Sequence, residues 1–421
     1  SFHPEEAALW LDFEQETENG TFYSYGIGAR TYGSIWPDRS VQPEMWQMKK
    51  TGQPLSFSMS DVTEGVVELW NRNHYTNASR YAIRWELKED DKVIQSGDLA
   101  LSTAPLSQEL VHIPYKKPAL IPGKEYRLML HAVLKKDELW AKAGHEVAWE
   151  ELELPWSLPC SSEEKAQGVP SYSLSEKELV VSGDGFKYVF NRTDGQLTSM
   201  VVQDMELLES PLRLNLWRAP LANELDNWNA SSARSSNWKE GYEYTVATEM
   251  YSAGIDRLTH QPLSFSVSET TEGVHIHIID AELMGKGEKE KKDLYIEGVQ
   301  NNGIINHYEY IINSEGTIEI RHVLKPEGKM PLWFPRIGLT LTVSDALDQV
   351  KWYGRGPQEN YPDRKTGYPM GIYASTVQAM YEPYLMPQDY GLRTDVRWLQ
   401  LTTDKGIGLQ FKMNEWFNFN I

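Results

Sequence analysis

Trp-Tyr-Gly-Arg-Gly-Pro-Gln-Glu-Asn-Tyr-Pro-Asp-Arg, residues 352–364, is the segment around which we interpret the rest of this chain. Gly354 and Gly356 let the backbone take a positive φ or pass close to a neighbour. Pro357 and Pro362 fix φ and push the residues before them out of helical conformation. We therefore predict a rigid, sharply turned loop here, neither strand nor helix.

The charged residues of this loop admit two roles. A rigid loop holds Arg355, Glu359, Asp363 and Arg364 in a fixed arrangement, with aromatic rings alongside. Rings can stack on the apolar face of a sugar while carboxylates and guanidinium groups bind its hydroxyls. The same residues can instead form a buried arginine–carboxylate lattice that locks one corner of a β-sandwich. Residue types alone slightly favour the lattice.

Apolar and polar residues alternate with period two along most of the chain, as Leu55, Phe57 and Met59 do between serines. Glycine and proline turns recur at short intervals, which indicates an all-β protein made of antiparallel strands. We predict an immunoglobulin-like sandwich over residues 38–155. Residues 156–171, rich in proline, serine and charge, read as a linker. Residues 172–421 then predict one large two-sheet sandwich.

Composition excludes several classes of partner. The net charge of −19 argues against nucleic acid, because phosphate binding needs clustered lysine and arginine. Apolar runs stay below the ~18 residues of a membrane span, so we expect no membrane contact. Cys160 is the single cysteine, which rules out an intrachain disulfide. The first residues, Ser-Phe-His-Pro-Glu-Glu, lack the pattern of a signal peptide, but this leaves the compartment, cytoplasmic or periplasmic, open.

Five blocks of sequence resemble, in order, segments of the large β-galactosidases of glycoside hydrolase family two. The resemblance covers the chain from about residue 30 to the end. The blocks are Trp217-Arg218-Ala219-Pro220 with Asn223 and Glu224, then residues 332–338, 356–364, 380–384 and 391–393.

The resemblance implies a domain order. Residues 1–37 resemble the C-terminal end and connector of that family's catalytic barrel, and the connector ends in a helical turn at Glu44–Lys49. The last sandwich resembles galactose mutarotase, and we expect it to be incomplete, because the family continues past Ile421. The chain is therefore interpreted as the C-terminal portion of a longer enzyme.

The resemblance also implies a function. The family hydrolyses terminal β-D-galactosides with retention, and both catalytic glutamates come from the barrel. We therefore expect no catalytic residue, metal ligand or cofactor in this portion, which would scaffold the barrel and shape the rim of its active site. Magnesium and sodium are implied for the parent enzyme. The implied partners are a β-galactoside or other carbohydrate, the catalytic barrel and further copies of the parent in a homo-oligomer.

The substrate-proximal candidates fall in two segments. The polar segment Asn223–Trp238 carries Asn223, Glu224, Trp228 and Trp238, and a polar loop with embedded tryptophans suits a sugar-facing lid. The loop already described adds Arg355, Glu359, Asp363 and Arg364. A third segment, residues 381–384 with Tyr390 and Arg393, is an aromatic cluster that fits a simple core equally well.

Two other classes of function stay open. One is a stand-alone carbohydrate-binding module, which would bind galactose or lactose without a barrel. The other is an aldose mutarotase, which needs a histidine and a glutamate facing a pocket. His307 and His322 are the nearest candidates for that histidine, although both lie in strand patterns.

One segment recurs within the chain. Gln-Pro-Leu-Ser-Phe-Ser is followed by an acidic turn and Thr-Glu-Gly-Val both in residues 53–66 and in residues 261–274. This predicts two hairpins with similar chemistry rather than a repeat architecture.

Overall fold

We analysed a computed structural model of the 421-residue chain. It describes residues 34–36, 38–159, 168–221, 224, 250, 253–285, 302–384 and 388–421, together with the backbone of two short paired strands, β1 (Glu16–Thr17) and β2 (Gly20–Thr21). The predicted barrel remnant lies almost wholly outside the described residues. Within them, antiparallel strands dominate, and the predicted all-β class is confirmed.

The first large unit is a sandwich of two antiparallel sheets with the orders β3-β4-β7 and β6-β5-β8-β9. Three plus four strands is the arrangement of an immunoglobulin-like domain. The alternating residues Leu55 and Phe57 point inward as predicted and pack with Trp85 and Leu128 in one core. The strands are β3 (Leu55–Asp61), β4 (Val66–Asn71), β5 (Tyr81–Glu89), β6 (Lys92–Leu99), β7 (Gln108–His112), β8 (Tyr126–Leu134) and β9 (Glu146–Leu154).

Four antiparallel sheets make up the second unit, and one core unites them. Phe190, Ile276, Trp352 and Leu399 come from different strands and share that core. The sheet orders are β10-β11-β12-β13-β14, β15-β20, β16-β17-β18-β19 and β22-β21-β23-β24. The strands are β10 (Ser171–Leu174), β11 (Glu178–Gly183), β12 (Phe186–Asn191), β13 (Gln196–Val202), β14 (Met205–Glu206), β15 (Leu208–Asn215), β16 (Thr259–Thr270), β17 (Gly273–Leu283), β18 (Gly303–Ile312), β19 (Ile318–Glu327), β20 (Gly338–Val343), β21 (Gln349–Arg355), β22 (Met370–Thr376), β23 (Arg393–Thr402) and β24 (Gly408–Phe419).

Part of the predicted 352–364 loop is strand. The strand β21 continues through Arg355, so the prediction of a loop is wrong for its first four residues and the turn begins at Gly356. Tertiary pairing explains the difference, since Trp352 lies between Tyr373 of β22 and Leu399 of β23. Gly354 serves close approach rather than turning, because a Cβ there would lie 2.8 Å from the Val396 side chain.

The two related hairpins form, but with different turns. Strands β3 and β4 are joined by four residues between Asp61 and Val66, and Gly65 takes φ +66°. Strands β16 and β17 pair up to Thr270 and Gly273, leaving a two-residue turn. Similar sequence therefore predicts the hairpin correctly, while its turn differs between the two sandwiches.

The helix α1 (Glu44–Thr51) precedes the first sandwich and extends the predicted helical turn by two residues. Its acidic first turn and basic last turn suit the helix dipole. Gln47 Nε2 donates to Thr366 Oγ1 at 2.8 Å, and Gly367 N donates to Gln47 Oε1 at 2.8 Å. The helix thus joins the first sandwich to the second. Among the described residues, no helix is both long and apolar enough to span a bilayer.

A buried ionic cluster also connects the two sandwiches directly. Arg127 of β8 is 3% exposed and donates to the Tyr353 hydroxyl of β21 at 2.7 Å. Glu125 accepts from that hydroxyl at 3.2 Å and from Arg397 Nε at 2.6 Å. Buried charges with several partners of fixed geometry set the mutual orientation of the two sheets.

Candidate functional site

The turn after β21 is tied to the start of β23. The backbone N–H of Asn360 donates to Leu392 O at 2.8 Å, and Thr394 N donates to Asn360 Oδ1 at 3.1 Å. Asn360 and Thr394 are buried, so these polar groups are satisfied inside the protein rather than by water. Two of the five sequence blocks, residues 356–364 and 391–393, therefore form one structural unit.

Glu359 is the centre of this unit and is 3% exposed. Its Oε1 accepts from the Arg364 guanidinium and from the Tyr384 hydroxyl, both at 2.7 Å. Its Oε2 accepts from Gly391 N at 2.6 Å. Burial and the Glu359 carboxylate raise the pKa of Tyr384. Both carboxylate oxygens are thus engaged, as the lattice interpretation of the loop requires. We call Glu359, Arg364, Tyr384 and Gly391 the Glu359 cluster.

The Glu359 cluster extends to the helix α1. Arg364 donates to the Tyr368 hydroxyl at 3.0 Å, and Glu44 of α1 lies 2.8 Å from the Tyr384 hydroxyl and 3.6 Å from Arg364. Burial raises the pKa of Tyr368 to about 12, although the Arg364 charge opposes it. The loop therefore fastens the segment that precedes the first sandwich onto the second.

Arg355 belongs to a separate ion cluster. Its Nε donates to Asp395 Oδ2 at 2.6 Å, and Lys365 Nζ lies 2.9 Å from Asp395 Oδ1. Burial alone would raise the pKa of Asp395, but hydrogen bonds from these two cations outweigh it and lower that pKa. The structure brings Glu359 and Arg364 together as predicted but assigns Arg355 to different partners.

Asp363 differs from the other three loop candidates because its side chain is exposed. It lies in a tight turn closed by two backbone hydrogen bonds between Tyr361 and Arg364. Of the four loop candidates, Asp363 alone stays open to an external ligand.

Glu224 holds the start of the other candidate segment. Its two oxygens accept from the two terminal nitrogens of Arg218 at 2.7 Å each, and Leu221 N donates to it at 2.8 Å. Burial raises the pKa of Glu224, but these hydrogen bonds and the Arg218 charge outweigh burial and lower it. Glu224 is therefore a local anchor. Asn223, Trp228 and Trp238 lie outside the described residues.

Asp389 was missed by the sequence reasoning. Its side chain is 8% exposed and accepts from Arg336 at 2.9 and 3.1 Å and from the Tyr361 hydroxyl at 3.2 Å. Burial raises the pKa of Asp389, while Arg336, the Tyr361 hydroxyl and the nearby Arg218 charge lower it in part. One carboxylate thus links the blocks at 332–338 and 356–364. Its signal in the sequence is weak, being a single aspartate two residues before Gly391.

Arg393 carries a buried charge beside the loop. It is 4% exposed, donates to Gly391 O at 2.8 Å and Pro357 O at 3.3 Å, and lies 5.7 Å from the Trp352 ring centroid. Burial lowers its pKa to about 10, although the Glu359 charge opposes this. Carbonyl acceptors and an aromatic face hold the guanidinium rigidly.

The two histidines considered for a mutarotase do not meet. Tyr308 pairs with His322 across β18 and β19, whereas His307 pairs with Val323, so alternation puts the two histidines on opposite faces. His322 stacks on Tyr308 with centroids 4.1 Å apart, and its Nε2 contacts Asn306 Oδ1 at 3.0 Å. Burial lowers the pKa of His322 to about 4, which keeps the ring neutral at physiological pH.

Comparison with known proteins places related sequences along most of the chain. A family model described as beta-galactosidase small chain matches residues 182–421, more than half of the chain, and one described as beta-galactosidase domain 4 matches residues 67–155. The chain is 29% identical over 402 residues to a beta-galactosidase of Priestia megaterium, covering 95% of this chain and 35% of that protein. It is 28% identical to a beta-galactosidase of Psychromonas ingrahamii, covering 92% of this chain and 37% of that protein. It is 27% identical to a beta-galactosidase of Pseudoalteromonas haloplanktis, covering 93% of this chain and 38% of that protein.

The chain spans little more than a third of the length of these relatives. Four of the five sequence blocks that resemble this family, residues 332–338, 356–364, 380–384 and 391–393, meet around Glu359 and Asp389. With the family model matched over more than half of its length, this chain belongs to the β-galactosidase small-chain family.

Proposed function

We propose that this chain is the non-catalytic C-terminal part of a retaining β-galactosidase, where it supports the catalytic barrel and shapes the rim of its active site. The observation that carries the proposal is the Glu359 cluster, in which every polar atom of a buried carboxylate is engaged by the protein itself. Such a cluster holds surrounding loops in fixed positions, which suits a supporting surface better than a sugar-binding pocket.

Anchoring of the helix α1 and of the polar segment supports this role. The helix α1 lies before the first sandwich and is fastened to the second sandwich by Gln47 and by contacts of Glu44 with Arg364 and Tyr384. A segment arriving from an upstream domain would therefore be held against the same loop unit. Glu224 fixes the start of the polar loop that we propose as the rim, whose sugar-facing candidates are Asn223, Trp228 and Trp238.

The chemistry would come from the rest of the parent protein. Retaining hydrolysis uses two carboxyl groups about 5–5.5 Å apart, one as nucleophile and one as acid and base. Glu359, which is buried, and Glu224, which is half-buried, are each committed to an arginine. We propose that the parent protein, rather than this chain alone, binds the β-galactoside, forms the homo-oligomer and supplies the catalytic pair. In the parent, the exposed Asp363 would face the bound sugar.

Magnesium and sodium are also proposed for the parent, with ligands outside this chain. Magnesium prefers an octahedron of oxygen ligands. Among the described residues, both groups with suitable spacing include histidine, so neither fits magnesium. In one of them, His260 has both ring nitrogens engaged, by Glu282 Oε1 at 2.9 Å and by Asp194 O at 2.7 Å.

A chimera tests the proposal. The corresponding C-terminal third of the Priestia megaterium relative is replaced by this chain, and hydrolysis of a chromogenic β-galactoside is measured beside that of the chain alone. We expect turnover from the chimera and none from the isolated chain. Turnover that follows the isolated chain through gel filtration would overturn the proposal, as would a folded chimera without activity. Saturable galactose binding by the isolated chain would favour a carbohydrate-binding module instead.

A further inference from the structure

Two histidines and a glutamate meet on the outer face of the β16-β17-β18-β19 sheet. His275 and His277 are two residues apart on β17 and so share a face, and Glu309 of β18 is the direct cross-strand partner of His277. His275 Nδ1 lies 3.6 Å and His277 Nε2 3.8 Å from Glu309 Oε1. All three atoms lie within 4.8 Å of one another. None of these residues takes part in the Glu359 cluster.

Two of the three potential ligands, His275 and Glu309, have their second polar atom held by a neighbouring side chain. His275 Nε2 lies 2.8 Å from Thr270 Oγ1, and we assign the ring proton to this nitrogen, which leaves the Nδ1 lone pair facing Glu309. Arg321 donates to Glu309 Oε2 at 3.2 Å, which leaves Oε1 for the histidines. Histidine and carboxylate ligands of metal ions are held by such outer partners.

We propose that His275, His277 and Glu309 bind one divalent transition-metal ion of the zinc class, with water completing the coordination. Two imidazole nitrogens and one carboxylate oxygen are a donor set that zinc accepts and that magnesium and calcium do not favour. Zinc bonds of about 2.0–2.2 Å in a tetrahedron bring ligand atoms to about 3.3 Å from each other. The two contacts of 3.6 and 3.8 Å therefore need to shorten by about 0.3 and 0.5 Å, and the separation of the two histidine nitrogens, which is at most 4.8 Å, by up to about 1.5 Å.

Exposure and charge favour entry of a cation. The His277 side chain is 50% exposed and that of Glu309 is 25% exposed, so an ion can reach the site from solvent. Arg321 is paired with both Glu309 and Glu319, which leaves the immediate surroundings with one net negative charge. Since His275 and His277 lie on β17 and Glu309 on β18, a bound ion would cross-link the two central strands of the sheet.

Calorimetric titration with zinc chloride tests the site in the whole chain, with any affinity tag removed and with Cys160→Ser as background. We expect one ion per chain, and His277→Ala and Glu309→Gln should each lower the association constant at least tenfold. His74→Ala removes another exposed histidine and is the matched control, with unchanged binding expected.

Two further readouts separate ligation from a general effect on folding. Cobalt in place of zinc should give visible absorption bands of a low-coordinate nitrogen–oxygen site, which His277→Ala abolishes. Thr270→Val keeps the strand but removes the partner of His275, and should weaken zinc binding about tenfold. The proposal is overturned if the wild-type chain does not bind zinc, or if His277→Ala and Glu309→Gln bind it as tightly as the wild type does.

Discussion

Replacing Glu359 by glutamine tests the central structural claim, that this carboxylate is a buried anchor and not a sugar ligand. The change keeps the size of the side chain but removes its charge and turns one acceptor oxygen into an N–H donor. Arg364, Tyr384 and Gly391 all donate to Glu359, so at least one of these donors would face the new amide group.

The expected cost follows from the geometry. Hydrogen bonds to a charged group contribute about 1.5–3 kcal/mol each, and removing one partner of a buried ion pair costs about 3–5 kcal/mol. Because the three bonds share one carboxylate, their contributions do not add. We expect Glu359→Gln to lower the free energy of unfolding by about 3–4 kcal/mol. For a sandwich of this size, that corresponds to a Tm lower by about 10 °C.

Urea unfolding followed by tryptophan fluorescence measures the change, and Asp363→Asn is the matched control. It makes the same carboxylate-to-amide change four residues away at an exposed position. There we expect the free energy of unfolding to change by no more than about 0.5 kcal/mol. A double-mutant cycle with Arg364→Met should give a coupling energy above about 1 kcal/mol. If Glu359→Gln costs no more than Asp363→Asn does, the carboxylate is not an anchor and our reasoning fails.

Three more predictions concern two junctions of the fold and the histidine that stacks on Tyr308. Gly367→Ala should lower the free energy of unfolding by about 1–3 kcal/mol and loosen the helix α1, because a Cβ there would lie 2.8–2.9 Å from the helix backbone. Limited proteolysis checks this, and unaltered protease resistance of the helix would contradict it. Tyr353→Phe should lower the free energy of unfolding in urea by about 2–3 kcal/mol, since it removes the hydroxyl that accepts from the buried Arg127 and donates to Glu125; a cost below 0.5 kcal/mol would show that this hydroxyl adds no stability. His322 binds its proton more weakly when folded, with a pKa of about 4, so stability should fall as the pH drops from about 6.5 towards 4. In His322→Phe, the Tm should decrease less between about pH 6.5 and pH 4 than it does in the wild type. An equal decrease in both proteins would contradict a lowered pKa of His322.

Much of the architecture was predictable because it depends on local patterns. Alternation at Leu55 and Phe57 reflects a two-residue period, which any half-buried strand must show. The Gly-Pro sequence at 356–357 marks the turn because proline fixes its own φ and disfavours helical conformation at the residue before it, and the turn does begin there. The ordered sequence blocks identify the family for a related reason, since each is a short contiguous match.

The partners of the charged residues were not predictable in the same way. Tyr384 and Glu44 lie 340 positions apart in sequence yet 2.8 Å apart in space, and Asp389 joins two blocks while carrying hardly any local signal. The composition of the 352–364 segment was compatible both with a sugar site and with a buried lattice.

The sequence by itself determined the strand periodicity, the position of the rigid turn and the family, because each is encoded over a few consecutive residues. Only the tertiary structure decided that Glu359 and Glu224 are engaged by arginines while Asp363 faces solvent. The physical reason is that a carboxylate's role depends on its burial and on the donors around it. Those donors arrive from distant strands and from the helix α1 once the sheets have packed.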